Sequence, residues 1–146
     1  MKASKRRTLT VPKKEHRPST EELFHAPGES PAVYSISQPL VFPAAVLGSV
    51  FTLAMVQCME GIRDWATQQK YLVGHIKVFI ETAQKENLWL GTTGKRINIK
   101  ASPGWDAALS DAFQVHFTAI VFGPGDAQLK LVVAEGIQRE FESVLP

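Results

Sequence analysis

Residues 30–59 contain no Asp, Glu, Lys or Arg, and from 40 to 59 they are mostly apolar. A helix of that length crosses a hydrocarbon core of ~30 Å, so the stretch must be either a membrane span or part of a protein core. Two features point to the core. Pro39 and Pro43 interrupt the start of the run, and the helical pattern continues past its end through Glu60, Arg63, Asp64 and Trp65 to about Lys70. Pro43 suits the first helical position, where a missing N–H costs nothing. Leu47, Val50, Phe51, Ala54, Cys58, Ile62 and Trp65 recur three and four apart, the stripe of a helix laid on a core. The spacing therefore predicts a core helix over 43–70 and no membrane partner. Its strongly apolar first half implies burial on more than one side, one of them against a partner subunit.

After Lys70 the period changes to two. Leu72, Gly74, Ile76, Val78 and Ile80 fall on one face, and Val73, His75, Lys77, Phe79 and Glu81 on the other. Residues 88–92 read as the returning strand and 96–101 as a further short run, with Ile97 and Ile99 inward and Arg96, Asn98 and Lys100 outward. Gly91 and Gly94 between these runs mark a bulge or a tight turn. Asp106 is placed to cap a short helical turn. Residues 113–122 alternate clearly, Phe113, Val115, Phe117, Ala119 and Val121 against Gln114, His116, Thr118, Ile120 and Phe122. Gly123-Pro124-Gly125 ends that strand, and Asp126 caps a last helix whose buried face carries Leu129, Val132, Val133, Ile137, Phe141 and Val144. Residues 32–37 add an edge strand. Short connections favour antiparallel pairing. The expectation is an α+β two-layer sandwich: a mostly antiparallel sheet with two helices on one face.

Charge divides the chain of 146 residues in two. Positions 1–17 hold seven basic residues against one acid, whereas the rest holds nine basic and thirteen acidic. Residues 1–30 are also rich in Pro, Ser and Thr and lack apolar periodicity, which predicts a disordered basic tail ahead of one domain over 31–146. The tail has no apolar segment of the kind a secretory signal needs. The single cysteine, Cys58, excludes an internal disulfide framework and cysteine-cluster zinc sites, and fits a reducing, cytoplasmic setting.

The motifs that carry chemistry are sparse. Gly91-Thr92-Thr93-Gly94-Lys95-Arg96 fails as a phosphate loop, because two residues rather than four separate the glycines and a strand follows. The helix–strands–helix order resembles that of double-stranded-RNA-binding domains, but Asp126-Ala127-Gln128-Leu129-Lys130 stands where those domains have a lysine cluster. Element order without site residues implies no function. His75 and His116 lack the third ligand a metal needs, and no cofactor is implied. Catalysis by either histidine requires a carboxylate within reach, Asp106, Asp111 or Glu81.

Three functional expectations follow, in order. The first is a non-catalytic domain acting by self-association or partner binding, because its apolar surface exceeds what one core uses. The second is nucleic-acid or anionic-ligand binding, with His75, Lys77, Trp89, Arg96, Lys100 and His116 on the outer sheet face and Lys5, Arg6, Arg7, Lys13 and Lys14 on the arm. The third is an enzyme using His75 or His116 as acid or base.

Overall fold

The computed structural model describes residues 30–142 and 144. The basic arm, with Lys5, Arg6, Arg7, Lys13 and Lys14, lies outside the described residues. Seven elements follow in order: β1 (Pro31–Leu47), α1 (Gly48–Gln68), β2 (Leu72–Glu81), β3 (Asn87–Thr92), β4 (Asn98–Ala101), β5 (Leu109–Phe122) and α2 (Asp126–Glu142). The strands form one sheet in the order β1-β5-β2-β3-β4, with every neighbouring pair antiparallel. The fold is the α+β sandwich that the alternating periods imply. No helix among the described residues is long and apolar enough to cross a membrane.

The charge-free run is divided between two elements. β1 extends to Leu47, well past the short edge strand expected at 32–37, and α1 starts at Gly48 rather than Pro43. The pairing register jumps from Val41↔Ala112 to Val46↔Ser110, so residues 42–45 bulge out against a single residue of β5. A proline fits a bulge for the same reason it fits a helix start: its absent N–H is not missed. The bulge drives Phe42 into the core, where its ring lies 5.9 Å from Phe113 and 6.2 Å from Phe141. The buried stripe also differs from the expected one, with Met55, Met59 and Ala66 joining it and Trp65 only half-buried. Phe51, Ala54, Met55, Cys58, Met59, Ile62 and Ala66 are buried, whereas Leu47 and Val50 are exposed.

α1 has no side-chain cap, and the chain supplies one from elsewhere. The turn after β4 brings carbonyl oxygens to the helix start, where Gly48 N–H donates to Ala108 O (2.9 Å) and Ser49 N–H to Asp106 O (3.2 Å). Trp105 anchors this turn. Its ring is fully buried and its Nε1–H donates to Gly48 O (3.0 Å) and Thr52 Oγ1 (2.8 Å). Residues 103–107 are thus turns and not the short helix expected from Asp106, and β5 begins at Leu109.

Two local features break simple alternation. The β2–β5 register shifts between Val73 and His75, so Val73 joins Ile76 in the core and Leu72 is exposed. Phe122, on the nominally outer side of β5, is buried at 4% and lies over Gly74, where a Cβ would come within 3.1 Å of its ring. α2 buries Leu129, Val133, Gly136, Ile137 and Phe141. Asp126 is its first residue, and its Oδ1 accepts the Val33 N–H at 3.0 Å. Where α1 and α2 meet, Gly136 packs close to the Cys58 sulfur.

Candidate functional site

The outer face of the sheet is built by register. Cross-strand partners point to the same face, and the pairings Ser37↔His116, His116↔Phe79, Phe79↔Trp89 and Trp89↔Lys100 set one line of side chains across all five strands. A parallel line holds Ser35, Thr118, Lys77, Gly91 and Asn98. Phe79 is the centre of the first line: its ring is 4.8 Å from Trp89 and 5.8 Å from the His116 imidazole, nearly parallel to the latter at 19°. Trp89 is 44% exposed, which is unusual for so large an apolar side chain on a strand.

A groove of about 510 Å³ lies along these two lines, lined by Lys77, Phe79, Trp89, Gly91, Asn98, Lys100 and His116 among others. That is within the range of small-ligand sites, ~300–1,000 Å³. Gly91 is its floor. The residue sits inside β3 and is neither a bulge nor a turn, while Gly94, at φ +110°, makes the turn that follows. A strand-interior glycine costs about 0.5–1 kcal/mol relative to alanine.

His116 is held from both sides. Its Nδ1 lies 2.8 Å from Ser37 Oγ and its Nε2 lies 3.3 Å from Glu81 Oε2. Glu81 is one of the three carboxylates foreseen for an acid–base histidine. With both ring nitrogens engaged by protein groups, the imidazole is fixed in orientation beside Phe79, its side chain 40% exposed.

Of the six residues expected on this face, the structure gathers Lys77, Trp89, Lys100 and His116 around the groove. Two expectations need correction. His75 pairs with Ile120, two register rows from His116, and does not line the groove. Arg96 lies in the turn before β4, which starts only at Asn98. Gly94 folds that turn back against Val73, so the run expected over 96–101 loses its first two residues as strand. β4 is an edge strand with all four residues exposed, including Ile99, which was expected inward. Ser37, Gly91 and Asn98 were not foreseen as site residues. Their signal is positional: alternation alone puts Asn98 on the side of Lys100 and Gly91 on that of Trp89, and register is what sets Ser37 beside His116.

Elsewhere the chemistry is quiet. Among the described residues no group of three or more His, Cys, Asp or Glu side chains is placed to hold a metal ion. Burial pushes the Cys58 thiol up to about 12, with Glu140 adding to the shift and Arg139 opposing it, so the sulfur is an inert core atom.

No protein-family model and no curated protein sequence matches the chain. Two solved structures are similar to it. A Zn(II)-bound triple mutant of the YjiA GTPase aligns at TM-score 0.41 and 10% identity, over 78% of this chain and 30% of that one. Zn(II)-bound YjiA GTPase from E. coli aligns at TM-score 0.40 and 11% identity, over 70% and 29%. The chain spans less than a third of the length of those GTPases, and likeness at this level carries no functional argument.

Proposed function

We propose that the protein binds single-stranded nucleic acid on the outer face of its sheet. The observation that carries this reading is the continuous row His116–Phe79–Trp89, bounded by Lys77 and Lys100 along a groove. Exposed aromatic faces stack on bases irrespective of sequence, and cations beside them meet the phosphates. The seven basic residues of positions 1–17 bring further positive charge that suits a polyanion. A cytoplasmic setting belongs to this proposal and is supported by the lone cysteine, which is buried.

Tryptophan fluorescence tests it: Trp89 is exposed, Trp105 is fully buried and Trp65 is half-buried against Tyr71, so the Trp89→Ala variant supplies the background signal of the other two. Titration of the full chain with a single-stranded oligonucleotide at low salt is expected to quench Trp89 emission, with affinity falling as salt rises. Trp89→Ala is expected to weaken binding by about fivefold or more. Absence of binding at low salt, or unchanged binding by Trp89→Ala, would reject the sheet face as the site.

A second reading, self-association, is supported by a separate patch. Leu47 and Leu109 are register partners, Val50 and Leu53 follow on the next turns of α1, and all four are 40–59% exposed. Such clustered apolar side chains favour a second copy as occupant. The free edge of β1 is a poorer place for it: Asp126 occupies the Val33 N–H and Pro39 has none to offer. Light scattering that returns a monomer at micromolar concentration would remove this reading and leave the first untouched.

A further inference from the structure

The groove has one feature that neither sheet geometry nor packing demands. Gly91 has no positive φ, and a Cβ built there would meet only the Ile76 carbonyl oxygen, at 3.9 Å, an ordinary contact. Any side chain would therefore be tolerated by the backbone and would project into the groove. What glycine contributes is empty space, next to Trp89 on its own strand and between Lys77 and Asn98 on the flanking strands. Asn98 is exposed, and its carboxamide has no hydrogen-bond partner among the described residues.

The geometry points to a subsite for one base over Gly91, stacked against Trp89 and read by Asn98, with adenine as the preferred base. This rests on the reading of the sheet face as a single-strand binding surface. A carboxamide presents a donor and an acceptor side by side. Adenine presents the complementary pair, its amino group beside a ring nitrogen, on both its Watson–Crick and its Hoogsteen edges. It therefore pairs whichever edge faces β4. Only the Hoogsteen edge discriminates, because guanine shows two acceptors there, cytosine one donor and uracil one acceptor. The preference for adenine therefore takes that edge as the one facing β4. Lys77, on the opposite side of Gly91, is left for a phosphate.

The experiment compares oligo(A), oligo(C) and oligo(U) of about ten nucleotides, a length within the usual single-strand site, binding to the full chain at low salt. Oligo(A) is expected to bind about tenfold tighter than oligo(U), the scale of one bidentate contact. Asn98→Ala is expected to bring the three to within about threefold of each other while retaining affinity for oligo(U). Gly91→Val, whose β-branched side chain suits a strand, is expected to keep the melting temperature and weaken all three by about tenfold. Gly91→Ala, which fills less of the space, provides a milder test on a backbone that accepts it. Equal affinity for the three oligonucleotides overturns the role of Asn98, and undiminished binding by both Gly91 variants overturns the subsite. In either case the stacking surface stands. If wild-type protein binds none of the three, the surface itself is wrong and this inference falls with it.

Discussion

The two faces of the sheet carry comparable aromatic contacts with opposite consequences. On the helix side, Phe51 stacks on Phe113 at 4.2 Å and both are buried. On the outer side, Phe79 lies 4.8 Å from Trp89, which is 44% exposed. The same strands contribute to both faces, so alternation does not distinguish them. The difference is the cover: α1 and α2 dry one face, and no described element covers the other. A ring–ring contact in a dry core holds the fold together, whereas the same contact on an uncovered face is available to a ligand. Substitutions should therefore separate cleanly by face.

The largest effect is expected at the centre of the inner cluster. Phe51 touches the rings of Phe42, Trp105, Phe113 and Phe141. Phe51→Ala should cost about 3–5 kcal/mol in chemical denaturation, lost transfer energy plus the cavity left behind. A loss below ~1 kcal/mol would mean that the helices do not seal this face.

The next effect probes how the seal is closed. A Cβ at Gly48 would run into the carbonyl oxygen of Trp105, which is backbone and does not yield as a flexible side chain does. Gly48→Ala should displace the 102–108 turn, loosen the start of α1 and cost about 1–3 kcal/mol. Near-ultraviolet circular dichroism of the buried Trp105 would register the displacement; an unchanged spectrum and stability would show that the turn does not lock the helix.

How far the sequence reveals these two faces depends on whether a face is decided locally. β5 and most of β2 were legible because strict alternation over 113–122 and 76–81 needs no knowledge of partners. The α1 start was not, because Pro43 satisfies a helix and a bulge equally, and only pairing with β5 selects the bulge. Likewise the bulge between Val73 and His75 inverts the parity of Leu72 and Val73; Gly74 is its local signal, outweighed in the sequence by the unbroken alternation around it. The candidate site was half legible. Lys77, Trp89, Lys100 and His116 could be named from alternation, but their neighbours across strands could not, since a register step of one moves a side chain to the other face. Gly91 is visible as a glycine and reads locally as a bulge or a tight turn, because the open space over it is a property of β2, β3 and β4 together. The capping role of Trp105 was invisible for the same reason.

A smaller effect tests how dry the covered side is near the helix crossing. The Cys58 thiol, ordinarily near 9.0, is raised to about 12, first by burial. The unfolded chain gives up that proton from about pH 9 while the fold retains it, so the stability this group contributes is fully present below pH 9. It is lost as pH rises towards 12, at up to ~1.4 kcal/mol per pH unit. The difference in unfolding free energy between wild type and Cys58→Ala should therefore shrink from neutral to alkaline pH. A pH-independent difference, or fast reaction of the native thiol with a disulfide reagent, would place water at the α1–α2 crossing.

The smallest expected effect on stability is the most telling for the comparison. Trp89 is as large as Trp105, yet its removal should move the unfolding free energy by only about 0.5–1.5 kcal/mol, the scale of a single ring–ring contact on an uncovered face. Its contact with Phe79 sets that scale, and the His116 ring still lies against Phe79 when Trp89 is removed. A Trp89→Ala variant that melts close to wild type but loses oligonucleotide quenching would assign the outer row to recognition. One that loses several kcal/mol would mean that Phe79, Trp89 and His116 form a second, smaller core. The sheet would then be stabilised from both sides, and the distinction between a structural and a binding face would fail.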